Sequence, residues 1–281
     1  MSEDWLRPTL SVAIITYNEQ GNIPACLDSV SDLADEIIVL DSFSTDRTEE
    51  VCRANPKVKF SQNPFGGHVE QKNLAIQLCS GDWILSLDAD ERLTPELREA
   101  IKSFLSSNPP AEVAGARFAR LNRHLHKDIR HGGWYPNARY RLFRKGRARW
   151  GGENPHDKLI LDGRGVMLAG DLLHFSFQDL AHQVQTINNF SSIAALMRYN
   201  RGVRFRVWRL LVKPVGKFLE IYLAKRGFLD GIHGMIIAVS SAYSTFLKEA
   251  KLFELDRLGS GVPSNLPSRY EKKGRVIVDG D

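Results

Sequence analysis

The alternation of short apolar runs with helix-like segments over the first 120 residues constrains this fold more than any other feature. Apolar, often β-branched runs occur at 10–16, 35–41, 57–60, 83–88 and 112–121, and segments with helical spacing separate the first four. Strands that alternate with helices form βαβ units, and such units build a largely parallel sheet. The sequence therefore predicts the α/β class, with a Rossmann-like, mostly parallel sheet flanked by helices.

Polar residues stand where three of these predicted strands end. The first strand runs into the polar stretch 16–19, the second ends at Asp41, and the fourth ends at Asp88-Ala89-Asp90. Right-handed crossovers bring the carboxyl ends of parallel strands to one edge of the sheet, where such sheets bind ligands. The sequence therefore predicts a site at this edge. A second Asp-x-Asp, at 279–281, lies in a polar tail and is not expected to take part.

The carboxylates at this edge indicate how a nucleotide would be held. The sequence has no G-x-G-x-x-G after its first strand and no G-x-x-x-x-G-K-[ST], which are the phosphate-binding loops of dinucleotide-binding and P-loop domains. Carboxylates repel phosphate, but a divalent cation with oxygen ligands binds both. Asp88 and Asp90 are therefore predicted to hold Mg²⁺ or Mn²⁺ with a diphosphate. Asp41 is expected to accept hydrogen bonds from a base or a ribose, with capping of the following helix as the alternative.

Charge is distributed unevenly along the chain. Residues 1–116 carry 9 Lys and Arg against 19 Asp and Glu, whereas residues 117–226 carry 22 against 7. A basic excess of this size favours an anionic partner, such as a phosphorylated glycolipid or membrane headgroups. Solvated charged faces are the alternative explanation. The acidic first part argues against binding of nucleic acid.

Cysteine usage and the N-terminus indicate the compartment. Three cysteines, Cys26, Cys52 and Cys79, have no spacing typical of disulfide pairs or metal sites. Disulfides are therefore not expected, and a reducing compartment is expected. The first residues contain no apolar core of a signal peptide, and no run of 18 apolar residues predicts a spanning helix. A cytoplasmic location is expected.

The pattern changes after residue 121. The stretch 122–160 is rich in His, Arg, Gly and aromatic residues, which predicts loops and short antiparallel strands that cover a cleft. Helices are predicted at 178–200, 203–225 and 228–252, and a poorly packed tail begins at about 257.

The third of these helices carries an apolar stripe, and basic residues precede it. The favoured role of the stripe is packing against other helices, and a membrane face is the alternative. The stripe comprises Phe228, Ile232, Met235, Val239, Tyr243, Phe246, Ala250 and Phe253. The preceding basic residues are Arg198, Arg201, Arg204, Arg206, Arg209, Lys213 and Lys217. This partly amphipathic basic run leads to the hypothesis of peripheral docking on anionic lipid.

Four stretches together resemble the family 2 glycosyltransferases, which have a GT-A fold. The stretches are TYNEQGNIPACLDSV, DEIIVLDSFSTDRTEEV, QKNLAIQLCSGDWILSLDADE and GGWYPNARYRLFRKG. The likeness extends over residues 10–250 and is greatest to bacterial lipopolysaccharide-core β-1,4-glucosyltransferases. GFLDGIHG, at 227–234, also resembles the family's membrane-associated segment near the C-terminus.

The resemblance implies a division of the chain. A GT-A domain would occupy 1–177, with its nucleotide-sugar half at 8–110 and its acceptor half at 111–177. A helical extension at 178–256, a candidate for membrane association, and a flexible tail at 257–281 would follow.

The resemblance also implies roles for the residues that match its motifs. The implied donor-binding residues are Thr16, Tyr17, Glu19, Asp41, Lys72 and Asp88. The implied metal ligands are Asp88 and Asp90, with His156 and His174 as candidates to complete the shell. The implied acceptor or phosphate side comprises Trp134, Arg139 and Arg141. A structural role is the alternative for His174.

The implied reaction is a single displacement that inverts the anomeric carbon of a nucleoside-diphosphate sugar. The metal would stabilise the departing diphosphate, and a carboxylate would take the proton of the acceptor hydroxyl. Asp157 is the candidate base and Glu153 the backup. The family usually has His-Glu here, whereas this chain has His156-Asp157, and the shorter side chain leaves the base open. UDP-glucose or another hexose donor is implied, with a lipopolysaccharide-core or other envelope glycan as acceptor at the cytoplasmic face of the inner membrane.

Two other functions remain open. A nucleotidyltransferase on a related sheet would be expected to carry a glycine-rich, basic loop after the first strand, where this chain has the acidic YNEQGN. A non-catalytic membrane- or polyanion-binding relative would be expected to lack Asp88 and Asp90, yet both are present.

Overall fold

The computed structural model describes residues 7–153, 156–258 and 263–264, without the side chains of Glu153, His156 and Leu258. These residues form two compact units. The sheet unit comprises Met1–Leu121 and Pro136–Phe175, and the helical unit comprises Asn122–Tyr135 and Ser176–Asp281. The tail predicted at 257–281 lies outside the described residues, apart from the end of the last helix and residues 263–264.

Strands and helices alternate over the first part of the chain, as predicted. The strands are β1 (Leu10–Thr16), β2 (Glu36–Asp41), β3 (Val58–Gln62), β4 (Trp83–Asp88), β5 (Glu91–Leu93), β6 (Val113–His124), β7 (Lys127–Asp128), β8 (Arg139–Arg144), β9 (Ala148–Glu153), β10 (His156–Leu161) and β11 (Arg164–His174). The α-helices are α1 (Ile23–Val30), α2 (Thr48–Arg53), α3 (His68–Gln77), α4 (Pro95–Ser106), α5 (Leu180–Asn200), α6 (Val207–Leu219) and α7 (Ile232–Leu258). A π-helical turn at Glu220–Ala224 and a 3₁₀ turn at Gly227–Asp230 connect the last two helices.

The central sheet has a parallel half and an antiparallel half. Its strand order is β3-β2-β1-β4-β8-β6-β11-β5, and β9 and β10 form a separate antiparallel pair. The first four strands of that order are parallel. β8 is antiparallel to β4 and β6, and β5 is antiparallel to β11. The predicted α/β class is confirmed, with a Rossmann-like sheet, flanking helices and a helical C-terminal extension.

The parallel strands are buried on both faces. In β1, Leu10, Val12 and Ile14 join one apolar cluster with residues of α1 and α4, while Ala13 joins a second cluster with residues of α3. Helices therefore cover both sides of the sheet, which explains why the strand sequences are nearly continuous apolar runs rather than alternating ones.

The helical unit has buried charged and hydroxyl groups between its helices, in addition to two small apolar clusters. Helix α7 packs against α5 and α6. The buried carboxylate of Glu249 in α7 accepts hydrogen bonds from Arg198 of α5 at 3.0 Å and from Lys213 of α6 at 2.8 Å. On the same helix, the Lys251 ammonium donates to the side chains of Ser191 and Ser192 at 2.8 and 2.7 Å. Charged and hydroxyl groups thus occupy much of the space between these helices.

The apolar stripe of α7 faces outward. Ile232, Val239, Tyr243, Phe246 and Phe253 are exposed. The buried residues of the helix include Ile237, Ala238, Glu249, Leu252 and Leu255. The expectation that the stripe serves helix packing is therefore wrong for these five residues, because another face of α7, with four apolar residues and the ion-paired Glu249, is the one buried inside the unit.

A tight turn explains the glycines of GFLDGIHG. A Cβ at Gly234 would clash with the carbonyl oxygen of Gly227, so the two backbones approach closely only without side chains. Between these glycines, the buried carboxylate of Asp230 accepts hydrogen bonds from the backbone N–H of His131 at 2.8 Å and of Arg130 at 3.4 Å. The segment is thus a structural turn of the helical unit. Among the described helices, none combines the length and hydropathy of a bilayer span.

Candidate active site

The strand register gathers polar side chains at the carboxyl edge of the parallel half. Thr16, the last residue of β1, is paired with Asp41, the last residue of β2. On the other side of β1, Ile15 is paired with Asp88 at the end of β4. Thr16, Asp41 and Asp88 therefore stand on three adjacent strands at the same edge of the sheet.

The carboxylate of Asp88 is held by two cations of the chain. Lys72 Nζ, from α3, lies 2.9 Å from Asp88 Oδ1, and Arg141 Nη2, from β8, lies 2.8 Å from Asp88 Oδ2. Burial alone raises the pKa of this carboxyl, but the charges of Lys72 and Arg141 outweigh it and hold the pKa well below its usual range. Asp88 is therefore ionised and neutralised from within the protein.

Glu91 completes this ionic cluster and has no assigned role in the sequence analysis. It is fully buried, and its Oε1 accepts a hydrogen bond from Arg141 Nη2 at 2.6 Å. Its Oε2 accepts from the backbone N–H of Asp88 at 3.0 Å, which closes the turn after β4. An acidic residue directly after Asp-x-Asp, in a strand of only three residues, is the signal that could have identified it.

The same lysine reaches the candidate base. Lys72 Nζ donates to Asp157 Oδ2 at 2.8 Å, so one buried ammonium binds Asp88 and Asp157 together. The ring of Trp150 lies 4.4 Å from Lys72 Nζ and 5.2 Å from the guanidinium carbon of Arg141, and it supplies an aromatic face to both cations. Trp150 was not among the residues predicted from the sequence.

Glu153, the backup base, and His156, a candidate ligand, pair with each other through their backbones where β9 and β10 meet. Their side chains lie outside the described part of the chain.

Asp90 and His174 form a second pair. β11 is paired with β5 so that His174 lies opposite Glu91, and His174 Nε2 is 3.2 Å from Asp90 Oδ2. Adjacent ligands of an octahedral ion with bonds of about 2.1 Å are about 3 Å apart, so one carboxylate oxygen and one imidazole nitrogen at this distance fit a shared divalent cation. No group of three or more His, Cys, Asp or Glu side chains suited to a metal occurs among the described residues. The oxygens of Asp88 are engaged by Lys72 and Arg141, whereas Asp90 and His174 contact each other, so a cation would bind at Asp90 and His174 by replacing their direct contact.

The loops after β1 and β2 are bonded to each other. The backbone N–H of Asn18 donates to Ser44 Oγ at 2.8 Å, and the N–H of Thr45 donates to Asn18 Oδ1 at 2.8 Å. Tyr17 and Phe43 extend from these two loops, with 58% and 51% of their surfaces exposed. Phe43 is a residue that sequence reasoning missed, and its exposed aromatic position directly after a strand end was the available signal.

Asp41 and Thr16 differ in how their side chains are used. Asp41 is fully buried and accepts hydrogen bonds from the backbone and hydroxyl of Ser44 and, at 3.3 Å, from Gln62 Nε2. It therefore holds the loop that carries Phe43. Thr16 Oγ1 is buried, and no hydrogen-bond partner for it exists among the described residues. A hydroxyl in this state is suited to a ligand that supplies the partner.

Glu19 has a strongly shifted acidity. Burial, followed in effect by the nearby charge of Asp90, raises the pKa of this carboxyl to about 7, although a hydrogen bond from Asn22 lowers it. Glu19 therefore changes charge near neutral pH, within the loop that follows β1.

The predicted acceptor residues lie in different surroundings. Arg141 belongs to the ionic cluster, while Arg139, two residues earlier on β8, is exposed. Trp134 belongs to the helical unit, where its ring meets His124 edge-on at 6.1 Å and its carbonyl accepts from Asn122 Nδ2 at 2.9 Å.

Part of the chain is similar to a solved structure. Glucosyl-3-phosphoglycerate synthase from Mycobacterium tuberculosis was solved in complex with Mn²⁺, uridine diphosphate and glucosyl-3-phosphoglycerate. It is 26% identical, with 41% of this chain and 44% of that chain covered and a TM-score of 0.33. That likeness is local.

Similarity over most of the chain is found with bacterial glycosyltransferases. The lipopolysaccharide core biosynthesis glycosyltransferase LpsC of Rhizobium meliloti is 32% identical over 255 residues, with 87% of this chain and 92% of that protein covered. An uncharacterized glycosyltransferase of Rickettsia typhi is 30% identical over 263 residues, with 88% of this chain and 87% of that protein covered. Residues 11–159 match the family described as Glycosyl transferase family 2. The chain therefore belongs to glycosyl transferase family 2 and is a glycosyltransferase.

Proposed function

We propose that this glycosyltransferase moves a hexosyl group, with inversion, from a nucleoside-diphosphate sugar to a hydroxyl of a lipopolysaccharide-core or other envelope glycan. UDP-glucose is the proposed donor. The observation that carries the proposal is the single ammonium of Lys72, which binds both Asp88 of the Asp-x-Asp and the candidate base Asp157. Lys72 therefore connects the carboxyl edge of the parallel strands, where the sugar donor is proposed to bind, to a carboxylate that can accept a proton.

The donor base and ribose are proposed to bind between the loops after β1 and β2. Tyr17 and Phe43 offer exposed aromatic faces to a base. Thr16 Oγ1 offers a hydroxyl whose partner the donor would supply. Asp41 acts through the loop that it holds, since its oxygens are bonded within the protein.

A divalent cation is proposed to bind at Asp90 and His174, whose ligand atoms lie 3.2 Å apart. When bound, Mg²⁺ or Mn²⁺ would supply positive charge for the departing diphosphate. The chain's own cations, Lys72 and Arg141, stand beside the same edge and neutralise Asp88, so the edge is less repulsive to a diphosphate than its sequence indicates.

Asp157 is proposed to take the proton of the acceptor hydroxyl as that oxygen bonds to the anomeric carbon and the diphosphate leaves. The proton passes to a carboxylate oxygen of Asp157, and the bond Lys72 makes to Oδ2 orients the carboxylate. Glu153 remains the alternative base.

The acceptor is proposed from the name of the Rhizobium meliloti relative, a lipopolysaccharide core biosynthesis glycosyltransferase, and from the basic charge of residues 117–226. Arg139, exposed on β8, is a proposed contact for its anionic groups, and Trp134 of the helical unit is a second proposed acceptor contact. Such an acceptor is membrane-bound, which supports a peripheral location at the cytoplasmic face of the inner membrane.

The test is turnover of UDP-, GDP- and ADP-sugars with Mn²⁺ or Mg²⁺. Asp157→Asn is expected to lower turnover about 10²–10⁴-fold, as loss of a general base does. Asp90→Ala is expected to abolish the turnover that depends on Mn²⁺ or Mg²⁺, because it removes a proposed metal ligand. Asp162→Asn, at an exposed position of the sheet unit, is the matched control and should leave turnover unchanged.

Each variant tests a separate part of the proposal. Turnover of none of these donors would reject the donor class, and full activity of Asp90→Ala would reject the metal site. Full activity of Asp157→Asn with loss of activity in Glu153→Gln would move the base to Glu153.

A further inference from the structure

Helix α6 presents an apolar face that the other described residues leave exposed. Its exposed residues Val207, Trp208, Leu211, Val212, Val215 and Leu219, together with Leu223 in the following turn, have between 45% and 65% of their surfaces accessible. At about 100° per residue, the six residues on α6 fall within an arc of about 140° around the helix. A continuous apolar sector of this kind on an exposed helix marks an interaction surface.

The rest of α6 is divided between packing and charge. Leu210, Pro214 and Phe218 are half-buried on the side by which α6 packs against α7. Arg209, Lys213 and Lys217 follow each other at intervals of four residues, at about 200–280° on the same scale, next to the exposed apolar sector. Lys213 donates to the buried Glu249 of α7 at 2.8 Å and Lys217 donates to Glu220 at 2.9 Å, so these two lysines are bonded within the helical unit. Arg209 lies over the ring of Trp208, beside the apolar sector.

The surrounding segment is strongly basic. Residues 198–226 contain nine Lys and Arg and one acid, Glu220, which gives a net charge of +8 in sequence. Five of the nine cations form ion pairs within the helical unit, with Glu249, Asp256 or Glu220. Apolar side chains bordered by Lys and Arg are the composition of helices that lie in the interface of an anionic bilayer. Trp208 is one of the exposed residues, and tryptophan prefers the headgroup level of a membrane.

We propose that α6 is an interfacial helix that docks the enzyme on an anionic lipid bilayer, with its apolar sector in the headgroup–acyl boundary and with Arg206 and Arg209 at lipid phosphates. This inference names the partner surface of the proposed function and rests on that function's membrane-bound acceptor. Docking itself is measured without the reaction.

The charges favour lipid over two other occupants. A second copy docked through the same face would bring one segment of net charge +8 against another, and like charges in an interface cost affinity. The chain's own residues 259–281 carry four Lys and Arg against three acids, so they offer little negative charge to this face. Anionic lipid supplies both the apolar layer and the opposite charge.

The experiment is co-sedimentation of the full chain with vesicles of phosphatidylcholine alone or with phosphatidylglycerol. Wild type is expected to bind the anionic vesicles and to be released by salt. Leu211→Glu with Val215→Glu is expected to weaken binding at least tenfold, because two charges would enter the apolar layer. Met167→Glu, at a comparably exposed apolar position of the sheet unit, is the matched control and should bind as wild type does.

A second measurement locates the contact on α6. Quenching of tryptophan fluorescence by brominated lipid is expected in wild type and should be reduced in Trp208→Phe. Circular dichroism and thermal unfolding establish that the variants are folded. Equal binding by wild type and the Leu211→Glu, Val215→Glu variant would overturn the proposal, as would a failure of wild type to bind anionic vesicles.

The remaining outcomes separate this inference from its alternatives. A wild-type dimer in sedimentation velocity that the same double substitution converts to a monomer would assign the face to a second copy and overturn lipid docking. Donor hydrolysis in solution should be unaffected by that substitution. Vesicle binding without any donor turnover would reject the proposed function and leave docking intact.

Discussion

The two units of this protein distribute apolar and charged groups in opposite ways. In the sheet unit, apolar clusters lie on both faces of the sheet, and the ionic cluster of Lys72, Asp88, Glu91 and Arg141 lies where β4 ends. In the helical unit, ion pairs of Glu249 lie between the helices beside two small apolar clusters, and many large apolar residues are exposed. Of the large apolar side chains that the described residues expose, five belong to the sheet unit and seventeen to the helical unit.

The difference separates two uses of buried charge. Around Asp88 and Glu91, buried charge sits beside the proposed donor and base, where it orients groups that react. Around Glu249 it lies between helices whose apolar residues are turned outward, toward the proposed lipid surface. Similar ion pairs thus accompany chemistry in one unit and an outward-facing apolar surface in the other.

The largest expected effect comes from breaking the ionic cluster of the sheet unit. Arg141→Leu leaves the carboxylates of Asp88 and Glu91 without their shared guanidinium, and removal of one partner from a buried pair costs about 3–5 kcal/mol. Urea unfolding of the protein without donor measures this loss of unfolding free energy. Arg139→Leu, exposed on the same strand, should change stability by less than about 0.5 kcal/mol. Equal losses of unfolding free energy in Arg141→Leu and Arg139→Leu would show that the ionic cluster adds no more to stability than an exposed arginine does.

The next effect sharpens the description of the helical unit. Ile237 and Val239 lie two residues apart on α7, with 1% and 52% of their surfaces exposed. Ile237→Ala should cost about 2–4 kcal/mol because it opens a cavity, whereas Val239→Ala should stay within about 0.5 kcal/mol. Thermal and urea unfolding of the two variants measure this. A larger loss for Val239→Ala would show that the apolar stripe packs inward after all.

The smallest effect is a pH dependence at the edge of the sheet unit. The pKa of Glu19 is raised from 4.5 to about 7, so its stabilising contribution is complete below about pH 4.5 and is lost as pH rises through about 7. Glu19→Gln resembles the neutral form. As pH rises from 5 to 8, the free energy of unfolding of the variant should therefore increase by about 1–2 kcal/mol relative to that of wild type. This is less than the full pKa shift corresponds to, because the side chain is partly exposed.

Urea unfolding at the two pH values, without divalent cations, checks this expectation. Glu112→Gln, at an exposed carboxyl of the same unit, is the control and should track wild type. If wild type and Glu19→Gln differ in free energy of unfolding by the same amount at pH 5 and at pH 8, the raised pKa is contradicted.

The strand edge was predictable from sequence because it depends on short-range patterns. The apolar runs that end at Thr16, Asp41 and Asp88 predict the strands, and the handedness of crossovers places their ends together. The groups that neutralise the edge were not predictable in the same way. Lys72 comes from α3 and Arg141 from β8, and their meeting at Asp88 depends on how distant elements pack.

The orientation of α7 was also beyond the sequence pattern. Periodicity separates an apolar from a polar face, but it does not state which face is inside. The buried face includes Ile237, Ala238 and Leu255 in apolar clusters, and Glu249, which meets Arg198 and Lys213 from two other helices. Without those partners in view, an apolar stripe is naturally interpreted as a packing face.

The shared ammonium of Lys72 makes two carboxylates thermodynamically dependent on each other. Asp88 and Asp157 bind the same nitrogen at 2.9 and 2.8 Å, so neutralisation of one leaves more of that charge for the other. Substitutions at the two positions are therefore non-additive, and the coupling energy is the same whichever is removed first. A ligand that changes the charge near Asp88 therefore also changes the interaction between Lys72 and the proposed base Asp157, through a single side chain.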